Sequence, residues 1–236
     1  MDELARSAEG ELDAYRSRIG GVPYERKGIL FSEMFFFTLC ARRVRPARIL
    51  ESGRARAQST LLLAVSFPGL TIVSLEHDPR SVDVPVAAAR MRPYPNVELR
   101  FGDATRILPA IARQGDVALI DGPKGFRAVR LALRLLAQGR LAMVFLHDVL
   151  RGSPERAFLE RWLPATIYSD DPRFARVAHV LDAAADDIPE PRRWRGGDPS
   201  AGYGYSLACL QHSPHAAYRR AWVAAAWTGL AHRGGG

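Results

Sequence analysis

"RILESGRARAQST", residues 48–60, is the stretch on which the reading of the whole chain turns. A short apolar run ends in Glu51, a single glycine follows at Gly53, then a polar turn, then the leucine-rich "LLLAVSF". Strand, tight turn and helix in that order are how a nucleotide- or nucleoside-binding loop opens in an α/β protein. Such loops usually carry two or three glycines. Here the later positions hold Ala55 and Ala57. The stretch is therefore a working loop, a decayed one, or only a turn.

The pattern around it alternates. "TIVSLE", "NVELRFGD", "DVALID" and "LAMVFLHDV" read as strands, with "ARILE" before them. Between them lie "QSTLLLAVSF", "SVDVPVAAARMR", "TRILPAIARQG" and the amphipathic "AVRLALRLLAQG", all of helical pattern. The strands are continuous apolar runs, as parallel strands covered on both faces require. An α/β fold with a doubly wound, mostly parallel sheet follows. Beyond Asp148 the sequence predicts a helix in "SPERAFLERWL". Strands in "ARVAHVLD" and "YGYSLACLQ" would form an antiparallel hairpin at the sheet edge, separated by a Pro/Gly loop containing Trp194. A final helix carries two tryptophans and suits packing on the sheet or a homodimer contact. Residues 1–45 read as an N-terminal helical extension, with Ser32 a cap for the helix beginning "SEMFFFTLC". Residues 46–236 read as the α/β unit, the two forming a single domain.

The chain of 236 residues is 47% hydrophobic and 25% charged, an ordinary globular composition. No apolar run reaches the roughly 20 residues of a membrane span. The start, "MDELARSAEGE", is acidic and polar, unlike a signal peptide. With only Cys40 and Cys209, a disulfide scaffold is not supported, and the expected compartment is the cytoplasm. The net charge is +8, but the arginines are scattered rather than clustered in a basic arm. No "NPPY"-type motif or aromatic-basic patch accompanies them, which argues against nucleic acid. The only lysines are Lys27 and Lys124.

In an open parallel sheet, ligands bind beyond the carboxyl ends of the strands. Each of the five strands delivers an acid to that edge: Glu51, Glu76, Asp103, Asp121 and, after His147, Asp148. Any one of them could simply cap a helix. Together they make an acidic rim, ill suited to a phosphate-rich dinucleotide and well suited to a ligand with hydroxyls, an amine and a positive centre.

The order of these motifs resembles the class I S-adenosylmethionine-dependent methyltransferases over Ile29–Val149, with weaker support as far as Gln211. Within them it is most similar to the metal-dependent O-methyltransferases of the catechol and macrolide-sugar types, which have a Rossmann-like fold. The resemblance implies that Glu51, Gly53, Ala55, Ser59, Glu76, Asp103 and Asp121 hold S-adenosylmethionine. In it, Glu76 takes the ribose hydroxyls and Asp103 the adenine amine. Gly53 would let backbone approach the methionyl part. Ala57 stands at the family's second glycine; if that position needs a positive φ, the cost is on the order of 1 kcal/mol. In "IDGPKG" the resemblance implies Asp121 as a ligand for a divalent metal such as Mg²⁺. Lys124 becomes the base, its pKa lowered by the cation or by burial. Arginine could not serve there. Asp148 is implied as a second metal ligand. His147 departs from the catechol pattern and stays open between a ligand, a second base and a donor behind the ligands. The implied activity is O-methylation of a small-molecule or sugar-like hydroxyl. Two alternatives remain: a degenerate methyltransferase-fold binding module without catalysis, and an NAD-dependent oxidoreductase, which would want the missing glycine triplet.

Overall fold

The computed structural model describes residues 1–25, 28–183 and 206–231. Its sheet has the order β3-β2-β1-β4-β5-β7-β6. The five central strands are β1 (Arg48–Ser52), β2 (Thr71–Glu76), β3 (Val97–Phe101), β4 (Asp116–Ile120) and β5 (Leu141–Leu146), and they are parallel. Their order reverses between β1 and β4, so the loops that follow these two strands part to opposite faces and leave a crevice. The α/β class and the doubly wound sheet stand as the sequence indicated.

Strand periodicity builds two cores. Val117 and Leu119 of β4 face one side with Phe145 of β5, while Ala118 and Ile120 face the other with Val144 and Leu146. The first side is covered by α1 (Asp2–Ile19), α2 (Phe31–Val44) and α3 (Gln58–Ser66). The second side is covered by α5 (Ala104–Ile111), α6 (Phe126–Ala137) and α10 (Tyr218–Ala231). The short α4 (Val84–Met91) packs its Ala87 and Met91 on α3. Helix α10 lies so close to α6 that a Cβ on Gly229 would come within 2.9 Å of the Phe126 Cβ. Of its tryptophans, Trp222 lies against Arg130 of α6, and Trp227 is 71% exposed. Helix α2 is buried almost all round: Phe37 packs tilted against Phe145 at 4.3 Å and Phe36 meets the same ring edge-on at 6.4 Å. Among the described residues, no helix is long and apolar enough to cross a membrane.

Three local expectations are corrected. "ARVAHVLD" is not a strand but parts of α8 (Pro172–Ala178) and α9 (Val180–Ala183). Pro172 sits in the first turn, and Asp171 caps it by accepting from the Arg173 amide at 3.0 Å. Phe174, Ala175, Ala178 and Leu181 are buried at helical spacing. The antiparallel pair at the edge does exist. Its first strand is the two-residue β6 (Ile167–Tyr168), and β7 (Ala208–Gln211) lies between β6 and β5, antiparallel to both. The loop around Trp194 falls outside the described residues. Ser32 does not cap α2. Leu30 is the N-cap, and Glu33 reaches back to accept from its amide at 3.1 Å, while the Ser32 amide donates to Asp182 Oδ1.

Because Phe37 is fully buried between α2 and the sheet, Phe37→Ala is expected to cost about 3–5 kcal/mol of stability. Urea denaturation would measure it, and a loss below about 1 kcal/mol would mean that α2 is not part of the core.

Candidate functional site

The site begins where β1 and β4 let go of each other. Asp121 and Gly122 both donate their amides to the Ser52 carbonyl, at 2.8 and 3.1 Å. Gly53 has φ +87°, and a Cβ there would lie 2.6 Å from the Gly122 nitrogen. Its need for glycine is thus the close passage of the β4 loop, not only approach to a ligand. The next residue, Arg54, is buried beneath the loop. Its guanidinium donates to the carbonyls of Ser74 (2.7 Å) and Arg100 (3.3 Å) and lies over the Phe101 ring. Burial pushes its pKa below the ordinary arginine value, partly offset by Glu51 and Glu76. Ala55 and Ala57 have φ of 44° and 66°. Both therefore occupy the left-handed region that favours glycine, and the condition attached to Ala57 is met.

Glu51 lies under this loop and lines neither of the openings described next. It accepts from Thr60 Oγ1 and Ser74 Oγ, each at 2.5 Å, and burial raises its pKa. Glu76 stands at the edge of the crevice. The Ala55 amide donates to one of its oxygens at 2.9 Å and the His77 amide to the other at 2.7 Å. Asp103 caps α5 by accepting from the Thr105 amide and hydroxyl, which hold its carboxyl below the usual range. Gly53, Glu76, Asp103, Lys124 and Arg127 share the walls of one cavity of about 290 Å³, near the lower bound for small-ligand sites. Ala55, Ser59 and Asp121 line a separate cleft of about 10 Å³, room for about one water. Gln58 fills that cleft from the α3 side, bonding Glu25 and the Ile29 carbonyl, so any larger group there needs Gln58 to move.

Past the crevice, the ends of β4 and β5 bring together Asp121, Lys124, His147 and Asp148. Lys124 Nζ donates to Asp121 Oδ1 and, at 2.7 Å, to Asp148 Oδ2. His147 Nδ1 is 2.6 Å from Asp121 Oδ1 and 3.4 Å from Asp148 Oδ1. Its Nε2 is 3.3 Å from Glu33 Oε2 on α2. Asp148 reaches inward from a left-handed backbone, φ 59°. Burial opposes charge on the imidazole, yet the carboxylates of Asp121 and Glu33 raise its pKa well above the ordinary value. Burial raises Asp121, but His147 and then Lys124 outweigh it and bring that carboxyl down. For Lys124, too, the two aspartates outweigh burial and raise the pKa. Burial alone therefore does not lower it, and the expected lowering would require a bound cation to take these carboxylates from the amine. A divalent metal at Asp121 and Asp148 would compete with that ammonium for the same oxygens. Asp121, His147 and Asp148 place one ligand atom each within 4.8 Å of one another, so the donor set fits such an ion.

Three participants were not singled out from the sequence. Glu33 was visible there only as the charge interrupting an apolar run; a lone acid inside "GILFSEMFFFTLC" needs a buried partner, and His147 is that partner. Arg54 and Arg127 were lost among the many arginines.

The fold is that of class I methyltransferase-like α/β proteins. No family model matches the sequence, and no curated protein is similar to it. Similar solved structures include cofactor-bound Rv0187 from MTB, 19% identical, covering 86% of this chain and 91% of that one, TM-score 0.53. Another is the O-methyltransferase TomG from Streptomyces achromogenes, involved in tomaymycin synthesis and in complex with SAM. It is 17% identical and covers 90% of this chain and 91% of that one, TM-score 0.54.

Ala55 is half-buried and strained. Releasing a left-handed alanine gains about 1–2 kcal/mol, less about 0.4–1 for the looser unfolded chain. Ala55→Gly should therefore raise stability by about 0.5–1 kcal/mol. Ala57→Gly should gain less, since it deletes a buried methyl. A thermal melt in which Ala55→Gly unfolds earlier than the parent would rule out left-handed strain in this loop.

Proposed function

We propose that the protein is an S-adenosylmethionine-dependent methyltransferase acting on a hydroxyl of a small-molecule or sugar-like acceptor. The observation that carries this is one cavity with Glu76 and Asp103 at one end and Lys124 at the other. A nucleoside whose hydroxyls bond Glu76 has its reactive end directed at the Asp121–Lys124–Asp148 cluster. TomG, whose structure is in complex with SAM, shares the fold and supports the reading.

S-adenosylmethionine supplies an electrophilic methyl on a sulfonium, so the chain's task is alignment and a usable oxygen nucleophile. Glu76, pinned by two backbone amides, keeps lone pairs for two vicinal hydroxyls. The acidic rim suits the cofactor's positive charge. Asp121 and Asp148 would hold a divalent cation, Mg²⁺ in the simplest case, which would lower the pKa of a coordinated hydroxyl. Lys124 stands at the cavity edge to hold the acceptor's proton, and it serves as base once its carboxylates are engaged elsewhere. It also borders a second cavity of about 270 Å³ with Arg127, Arg130 and Glu155, between α6, α7 (Pro154–Trp162) and α10. The acceptor enters there. Residues 1–45 and 46–236 act as one domain in this reading, because α2 brings Phe37 to the core and Glu33 to the site. A cytoplasmic location and a homodimer formed through the exposed side of α10 complete the reading. The left-handed Ala55 and Ala57 favour a second reading, a binding module whose loop holds the cofactor without turnover. An NAD-dependent oxidoreductase is disfavoured, because the loop lacks the glycines that admit a pyrophosphate.

Calorimetric titration with S-adenosylmethionine tests this. Micromolar binding is expected, lost in Glu76→Ala. Methyl transfer to a panel of hydroxylated acceptors should fall at least about 100-fold in Lys124→Ala with cofactor affinity kept. Cofactor binding with no transfer to any acceptor would favour the binding module. No binding by folded protein would overturn both readings.

A further inference from the structure

We propose that the cluster beyond β4 and β5 selects a first-row transition cation such as Mn²⁺ or Co²⁺ over Mg²⁺. Asp121, Asp148 and His147 are the donors, and Glu33 is the positioning residue behind His147. The proposal deepens the reading above, since it names the ion at the same site, but its geometry stands apart from the cofactor loop.

Three observations point the same way. His147 aims Nδ1 at both aspartates and rests Nε2 against Glu33. An imidazole with one nitrogen among hard donors and the other on a carboxylate is the arrangement by which proteins orient a metal-binding histidine. Next, Glu33 is 1% exposed, inside a helix otherwise buried among phenylalanines, and among the described residues its Oε1 has no hydrogen-bond partner. A buried carboxylate is costly unless something cationic answers it. Finally, Asp121, Asp148 and Glu33 set three carboxylates around His147. A divalent ion held on Nδ1 in place of a proton would answer one more of these negative charges.

The nitrogen donor decides which ion. Mg²⁺ prefers an all-oxygen shell and sheds water reluctantly. Manganese, cobalt and zinc accept mixed imidazole and carboxylate ligands, more readily along the affinity series.

The test uses the full chain stripped with chelator, titrated separately with MnCl₂, CoCl₂ and MgCl₂. Calorimetry reads affinity, and visible absorption reads nitrogen ligation of Co²⁺. Wild type should bind Mn²⁺ and Co²⁺ at least about 10-fold more tightly than Mg²⁺. His147→Asn should abolish that preference and change the Co²⁺ spectrum. Glu33→Gln, of the same shape, should weaken Co²⁺ binding by about 10- to 100-fold, with circular dichroism unchanged. Equal affinity for Mg²⁺, a preference that survives His147→Asn, or no cation binding at all would each overturn the proposal. S-adenosylmethionine titrated into the same samples separates the two ideas. Cofactor binding without cation selectivity sinks only the ion, and selective cation binding without the cofactor sinks only the methyltransferase.

Discussion

The structure depends on the crossing at the ends of β1 and β4. Two parallel neighbours whose chains leave to opposite faces must pass each other within hydrogen-bond distance. The Ser52 carbonyl accepts both amides of the β4 turn, and Gly53 has no room for a side chain beside Gly122. That contact sets the loop of residues 53–57 against the loop carrying Asp121 and Lys124. A crevice with Glu76 and Asp103 at one end and a charged cluster at the other is its consequence.

Charge is buried on both sides of the crossing, and in each case it fixes a loop. Arg54 threads beneath the first loop and ties it to the carbonyls of Ser74 and Arg100, while Glu51 does the same from below through Thr60 and Ser74. On the other side, Glu33 ties α2 to His147 and so to Asp121. These groups lie in or against apolar cores, where an unmet charge is penalised heavily. Their mutual bonding holds the strand-end acids in place before any ligand arrives. The strained Ala55 and Ala57 are tolerated within the same network, because the Ala55 amide is needed on Glu76.

Much of this could be read in the sequence. Continuous apolar strands alternating with helices dictate a parallel sheet, and a parallel sheet dictates the edge at which its acids gather. What escaped reading has physical causes. The pattern of residues 175–182 suits helix or strand, and only the Asp171–Pro172 cap decides it. A two-residue strand such as β6 has no period to detect. The direction of the Lys124 pKa depends on Asp148, 24 residues further along the chain, which spacing does not reveal. Glu33 lies 114 residues from His147, and its purpose appears only when α2 is laid on β5.

The most direct measurement of the central claim is a crystal structure with S-adenosylhomocysteine. The account requires its ribose on Glu76, its adenine beside Asp103, and its sulfur directed toward Lys124 and Asp148. Density for the molecule elsewhere, or an empty crevice at saturating ligand, would contradict it.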